Sequence, residues 1–300
     1  MATFRSGFCC FVGRPNSGKS TLTNALVGSK IVITSDRPQT TRHAVRGVLN
    51  RPDAQLVIVD TPGVHRPRTL LGERLNDVVR ATLVDMDVVG FCVPADEPVG
   101  PGDRYIAAQL AAIKAPVVAI VTKTDVARRE RVVAQLAAIG ELAAASGLGE
   151  FAEVVPVSAV RGDQVSLLAD LLAARLPAGP ALYPLDMVTD QDLDTRLAEL
   201  IREAALADAR DELPHSIAVT IDETRRRANG LLEVFATIHL ERPSQKGIVI
   251  GAGGARLQRI GTVSRAGIEA VLGERVHLDL HVAVERDWQR DPKKLDRLGF

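Results

Sequence analysis

Cysteine is scarce in this sequence. Of 300 residues only Cys9, Cys10 and Cys92 are cysteine, and no C-x-x-C pair occurs. That excludes a cysteine zinc site and a disulfide framework; the expectation is buried, reduced thiols in a cytosolic protein. Excess charge is also missing. Lys and Arg number 37 against 37 Asp and Glu, so the whole-chain balance points to no polyanionic partner. Long apolar runs are lacking. None reaches the roughly 18 residues of a spanning helix, and Met1–Arg5 leads into no apolar signal-peptide core. The protein is expected to be soluble and cytoplasmic. Internal repeats and low-complexity segments are absent as well.

What is present is an apolar fraction of 46%, enough for ordinary cores, in a length that suggests about two domains. The charge is unevenly distributed. Leu182–Glu223 holds 3 basic and 11 acidic residues, whereas Arg242–Ile268 holds 5 basic residues and no acid. A neutral chain therefore carries a basic segment near its C-terminus.

The chain is organised around Gly13-Arg14-Pro15-Asn16-Ser17-Gly18-Lys19-Ser20, which fits the phosphate-binding pattern G-x-x-x-x-G-K-[ST]. An apolar run, Phe8–Val12, precedes it as a short strand, and a helical stretch begins at Lys19. Gly13 and Gly18 let successive backbone N–H groups surround an anion at a helix N-terminus. Lys19 is placed to reach the β- and γ-phosphates, and the Ser20 hydroxyl to ligate Mg²⁺.

Strands are predicted at Phe8–Val12, Val45–Leu49, Leu56–Asp60, Val88–Pro94, Val117–Thr122 and Val154–Val157. Helices are predicted at Lys19–Val27, Leu71–Val84, Asp103–Ile113, Arg128–Ser146 and Val165–Leu176. That alternation implies an α/β, doubly wound, mostly parallel sheet, with ligands at the C-terminal ends of its strands. Pro177-Ala178-Gly179-Pro180 breaks the last helix. The expected division is a nucleotide-binding domain over 1–178, a linker over 179–190 and a second domain over 191–300. There the rhythm becomes helix (Asp192–Arg210), strand (Ser216–Ile221), strand (Leu231–Leu240), a glycine turn after Gly247–Ile250, helix (Ala255–Leu272) and strand (Val276–Val284).

Asp60-Thr61-Pro62-Gly63 closes the third strand about forty residues after the phosphate loop, a spacing that suits an aspartate serving Mg²⁺ directly or through water. Gly63 has no side chain to block its N–H from a γ-phosphate. By itself the tetrapeptide is also a good turn. Thr122-Lys123-Thr124-Asp125 closes the fifth strand. A carboxylate there can accept from guanine N1–H and N2–H₂, a donor pair that adenine lacks, while the Lys123 stem packs on the base. Ser158-Ala159 can offer a backbone N–H to guanine O6.

In order and spacing, Gly13–Ser20, Asp60–Gly63, Thr122–Asp125 and Ser158-Ala159 resemble the motifs of the small GTPases. Together with Pro38-Gln39-Thr40-Thr41-Arg42-His43 and the C-terminal glycine turn, they resemble the bacterial Era GTPases over essentially the whole chain. The resemblance implies a P-loop NTPase domain followed by an α+β, type II KH domain. It implies GTP and GDP as ligands bound by Gly13, Asn16, Ser17, Gly18, Lys19, Ser20, Thr21, Asp60, Thr61, Pro62, Gly63, Thr122, Lys123, Asp125, Ser158 and Ala159. Mg²⁺ would be held at Ser20, Thr41 and Asp60, with Lys19, Thr41 and Gly63 in catalytic positions. Thr41 would be the threonine of a switch loop released on hydrolysis; from local residues alone it reads as part of a turn after a proline. Related GTPases bind K⁺ through the loop asparagine, here Asn16. Two departures stand out. Thr122 occupies the place of an asparagine that contacts guanine N7 and ties the base loop to the phosphate loop, and loss of one hydrogen bond costs about 0.5–1.5 kcal/mol of affinity. Val64 stands where Ras-type enzymes carry a water-orienting glutamine, so intrinsic hydrolysis is expected to be slow.

Gly251-Ala252-Gly253-Gly254 is not a dinucleotide fingerprint, because Arg256 replaces the third glycine. It fits G-x-x-G, a loop that clamps a nucleic-acid backbone in KH domains, although it also fits an ordinary turn. Arg242, Lys246, Arg256, Arg259 and Arg265 surround it and suit a single-stranded RNA groove. Ile248, Ile250 and Ile260 are candidates for its apolar wall. The RNA-binding residues expected are Arg242, Lys246, Ile250, Gly251, Ala252, Gly253, Gly254, Arg256 and Arg259. The resemblance implies a target near the 3′ end of small-subunit ribosomal RNA, a role in small-subunit assembly, a monomer, and an open question of peripheral contact with the inner membrane face. His277, Asp279 and His281 share one strand face and read as its exposed polar side rather than a metal site. Arg225-Arg226-Arg227 reads as a solvated hairpin tip or a phosphate contact, and Trp288 as a base platform or core cover. Two other readings remain open: an adenine-nucleotide enzyme, made thinkable by Thr122, and an RNA-binding factor whose nucleotide is structural.

Overall fold

A computed structural model describes residues 3–35, 37, 40–64, 67, 69–207 and 216–300. Pro38 and Gln39 of the expected switch segment lie outside the described residues. The chain divides into two compact units. The first reaches Asp190; the second holds Gln191–Phe300 together with the short segments Ile33–Thr40 and Arg68–Glu73.

The first unit is a six-stranded sheet: β1 (Arg5–Val12), β2 (Val45–Asn50), β3 (Ala54–Asp60), β4 (Val88–Pro94), β5 (Val117–Thr122) and β6 (Glu153–Pro156). The spatial order is β2-β3-β1-β4-β5-β6. Only β2 runs antiparallel to its neighbour among these pairings. Four helices connect the strands, α1 (Lys19–Val27), α2 (Leu70–Val84), α3 (Pro101–Leu110) and α4 (Arg129–Ser146), and α5 (Val165–Ala173) follows β6. The apolar runs of the sequence have no period of two because both sheet faces are covered. β1 shows the consequence: Cys9 and Phe11 pack with Leu22, Ile58, Ile120 and Leu168 on one face, and Cys10 and Val12 with Val79, Ile106 and Ile139 on the other. The three cysteines are free and buried.

The 179–190 segment, expected to be a linker, is laid against this unit. Ser6 Oγ donates to the Pro180 carbonyl at 2.5 Å. The buried Gln55 side chain accepts from the N–H groups of Leu182 and Tyr183 at 2.6 and 2.9 Å. Val48 N–H donates to the Val188 carbonyl at 2.9 Å, and Gly47 bridges Thr189 in antiparallel sense. The strap thus covers part of the edge that β2 would otherwise expose. Proline and glycine composition marks the helix break but carries no sign of these backbone partners.

The second unit follows the expected order: α6 (Leu193–Ala207), β7 (Ala218–Arg226), β8 (Leu232–Leu240), α7 (Pro243–Ile250), α8 (Ala255–Leu272) and β9 (Val276–Val284), with a short α9 (Pro292–Arg297). The sheet order is β7-β8-β9, antiparallel then parallel. Leu197, Leu200 and Ile201 from α6 pack with Val234 and Ile238 from β8 and with Ile260 and Ile268 from α8. β7 runs five residues beyond the expected strand end, absorbing Arg225 and Arg226, and a register shift between Ile221 and Glu223 interrupts its pairing.

Candidate nucleotide and nucleic-acid sites

The phosphate loop leaves β1 and enters α1. Lys19 is buried, and its ammonium donates to the carbonyls of Gly13 and Arg14 at 3.1 and 2.8 Å. Burial pushes its pKa down. The charge is thus held over the loop with no carboxylate bonded to it, a poor arrangement for stability and a good one for an incoming phosphate. Gly63 abuts this loop: a Cβ there would lie 2.8 Å from Pro15 Cα, so only glycine brings the β3 end this close. Asn16 has a left-handed backbone, φ 62°.

Three hydroxyls converge on Asp60 at the end of β3. Ser20 Oγ donates to Asp60 Oδ2 at 2.8 Å, Thr41 Oγ1 to the same oxygen at 3.0 Å, and Thr23 Oγ1 to Oδ1 at 3.3 Å. Ser20 and Thr41 hydroxyls are 2.9 Å apart. Burial pushes the Asp60 carboxyl up, opposed by these hydrogen bonds and by the Lys19 charge. The donor set is all oxygen with one carboxylate, which fits Mg²⁺ completing its shell with phosphate and water. No cluster of three or more His, Cys, Asp or Glu suited to a metal occurs among the described residues. Thr61, expected at the nucleotide, instead donates to the Phe11 carbonyl at 2.8 Å and braces β1 against β3.

Thr122 corrects one expectation. Its hydroxyl donates to the Ser17 carbonyl at 2.7 Å in a buried setting, so the bond joining base loop to phosphate loop is made by threonine after all. Only the contact to guanine N7 lacks a replacement. Asp125 Oδ1 accepts from Ser158 Oγ at 2.8 Å, which orients the carboxylate. Ser158 N–H donates to the Asp163 carbonyl at 3.1 Å, so its hydroxyl serves the site and its amide does not. Val64 is buried in the core beside Val12 and Val59, and its N–H donates to the Gly13 carbonyl at 3.2 Å. An apolar side chain there orients no water.

In the second unit, Gly251–Gly254 lies between α7 and α8. Gly251 has φ 74°, and a Cβ on it would sit 2.8 Å from Arg256 Cβ. Gly253 and Gly254 also have positive φ, and Ala252 and Gly253 are exposed. Arg256 folds back: its Nη1 donates to the Ile248 carbonyl at 3.3 Å, while Nε and Nη2 are buried without a protein partner. Arg242, Arg259 and Arg265 are exposed, and Lys246 is half-buried. Ile248 is 52% exposed, whereas Ile260 is core, so Ile260 does not line a groove and Ile250 is only partly available.

The three consecutive arginines are engaged. Arg225 and Arg227 both pair with Glu233, at 2.8 and 2.6 Å, and Arg226 with Glu274 at 2.6 Å. Trp288 is fully buried, donates to the Ser216 carbonyl at 3.3 Å and stacks on Phe300 at 5.5 Å between ring centroids; it is core cover. His277, Asp279 and His281 are exposed. Sequence motifs did not single out Thr23, Asp96, Glu97 or Asp103, which contact the motif residues; their types are ordinary and their partners are 27 to 89 positions away.

Two families match the chain: one described as 50S ribosome-binding GTPase over residues 8–123, and the KH domain over residues 212–289. GTPase Era of Streptomyces coelicolor is 61% identical over 302 residues, covering 99% of this chain and 95% of that one. GTPase Era of Mycobacterium avium is 59% identical, with both chains fully covered. Two solved structures cover 99% of both chains at 35% identity: Era with MgGDPNP and nucleotides 1506–1542 of 16S ribosomal RNA, TM-score 0.93, and a point variant of Aquifex aeolicus Era bound to GDP·AlF₄⁻, TM-score 0.92.

Proposed function

Since the chain belongs to the GTPase Era family, whose members hydrolyse GTP, we propose how its own residues carry that activity and what its second unit binds. The observation that carries the reading is the meeting of Ser20, Thr41 and Asp60 beside a buried, carboxylate-free Lys19. Ser20 and Thr41 hold Mg²⁺ with Asp60 behind them, and the ion neutralises charge developing on the phosphates. Lys19 leaves its carbonyl partners for the β- and γ-phosphates. The Gly63 N–H approaches the γ-phosphate, and water attacks in line. No side-chain general base is assigned, and Val64 provides none. Asn16 is the residue we assign to K⁺, which would supply positive charge beside the phosphates as an arginine finger does elsewhere; equal rates in KCl and NaCl would remove that assignment.

Asp125, oriented by Ser158, selects guanine. The O6 contact falls to Ala159, since the Ser158 amide is committed. Era was solved with nucleotides 1506–1542 of 16S ribosomal RNA. We assign the same class of target to the Gly251–Gly254 loop, with Arg242, Lys246 and Arg259 flanking it, and a role in assembling the small ribosomal subunit. We place the protein in the cytoplasm as a monomer. No helix among the described residues is long and apolar enough to cross a membrane.

Equilibrium binding of GTP, GDP, ATP and XTP with Mg²⁺ tests the first half. A clear guanine preference is expected; equal binding of ATP would remove the role of Asp125. Binding of a single-stranded RNA with the 3′-terminal sequence, set against a scrambled one, tests the second.

A further inference from the structure

The turn between β4 and α3 is fixed rather than free. Ala95 N–H donates to the Thr122 carbonyl at 2.8 Å. Arg131 Nε and Gln135 Nε2, both on α4, donate to the carbonyls of Ala95 and Pro94 at 3.2 and 3.0 Å. From this base two acids, Asp96 and Glu97, reach in different directions. Asp96 Oδ2 lies 3.3 Å from the ammonium of Lys123. Glu97 Oε2 lies 2.9 Å from Arg14 Nη1, and Asp103, fully buried in the first turn of α3, holds Arg14 Nε at 2.8 Å and caps the Gly100 N–H at 2.8 Å. Arg14 is thereby tied to α3, while its carbonyl accepts from Lys19.

We infer that the Ala95–Gly100 turn is the positioning element of the nucleotide site, with Asp96 setting Lys123 for the base and Glu97, together with Asp103 of α3, fixing Arg14 in the phosphate loop. The inference rests on the nucleotide reading above. Folding alone does not account for Asp96. Its ion pair is about a third exposed on each side, a class worth little to stability. Its other oxygen, Oδ1, is buried without a hydrogen-bond partner, an arrangement that opposes folding. Lys123 in turn has a left-handed backbone, φ 57°, which costs energy in a non-glycine residue and is typical of functional loops. Two unfavourable features meeting at one contact in the base loop point to a task in binding.

The test is a set of Asp96 variants in the full chain: Asp96→Ala, Asp96→Asn and Asp96→Glu. Each is assayed for GTP and GDP affinity, for kcat and KM, and for melting without nucleotide. Asp96→Ala and Asp96→Asn are expected to weaken GTP and GDP equally, by about three- to tenfold. KM should rise while kcat stays within about twofold, because the interaction is the same in ground and transition states. Asp96→Glu should recover part of the affinity. Melting of the nucleotide-free Asp96→Ala protein should be unchanged or higher, since a buried unpaired acceptor is gone. Wild-type affinity in all three variants overturns the inference. So does a fall in nucleotide-free melting that tracks the affinity loss, which would make Asp96 merely structural. If the unaltered protein itself binds no guanine nucleotide, the nucleotide reading has failed instead.

Discussion

Thr122 shows how far a residue's role depends on geometry that its name does not carry. Asparagine and threonine differ in reach, and the sequence alone does not say which of the asparagine's two bonds the shorter side chain keeps. The backbone brings Ser17 close enough for the hydroxyl to make it, at 2.7 Å. Thr122→Val, which keeps the shape and removes the hydroxyl, leaves the Ser17 carbonyl without that donor. Stability of the nucleotide-free protein should fall by about 1–3 kcal/mol, measured by denaturant titration. Thr122→Asn should do the opposite for ligand binding. An amide can serve the purine N7, and GDP affinity is expected to rise about two- to tenfold; equal GDP affinities in wild type and Thr122→Asn would mean the N7 contact contributes nothing. The meeting of Ser20 with Asp60, and the place of Asp125 after β5, were legible from spacing because phosphate and guanine chemistry suggests those types at a helix start and at strand ends. Thr23, Asp96 and Asp103 were not, because a hydroxyl or carboxylate in a helix or turn carries no mark of the distant cation or carboxylate it faces.

At the scale of elements, the six strands of the first sheet and the helices between them were readable because apolar runs of strand length leave few alternatives. The strap 179–190 was not, since its attachment is mostly through backbone groups and Gln55. The G-x-x-G loop was readable as a turn, but its tightness was not. Gly251→Ala combines a positive φ with a contact 2.8 Å from Arg256 Cβ. The loop must shift, and RNA affinity should drop while GTP hydrolysis without RNA stays at the wild-type rate; a parallel loss of both would show general unfolding. The β7–β8 hairpin carries a pH dependence. Arg227 and Arg225 hold the Glu233 carboxyl down at about 2, from an ordinary value of 4.5. A depressed folded-state pKa means that its contribution is full above pH 4.5 and is lost as pH falls towards about 2. Wild type should therefore melt above Glu233→Gln at neutral pH, and the gap should close across that interval. A gap independent of pH would show that the pair of arginines does not stabilise the charged form.

The whole molecule has separate cores: Leu197, Val234, Ile238 and Ile268 in the second unit, and two layers about the six-stranded sheet in the first. The chain contains a single tryptophan, and Trp288 is buried in the second unit against Phe300. Its fluorescence therefore reports the melting of that unit, whereas circular dichroism reports both. A ligand stabilises the unit that binds it in proportion to the logarithm of its concentration over Kd. At a hundredfold excess that is about 2.7 kcal/mol, roughly 5–10 °C for a domain of this size. GDP with Mg²⁺ should move the dichroism transition of the first unit by this amount and leave the tryptophan transition where it was. The 3′-terminal RNA should move the tryptophan transition instead. If GDP shifts the fluorescence midpoint as far as the dichroism midpoint, the two cores melt as one cooperative system, and a nucleotide bound at Lys19 then changes the stability of the surface that grips RNA.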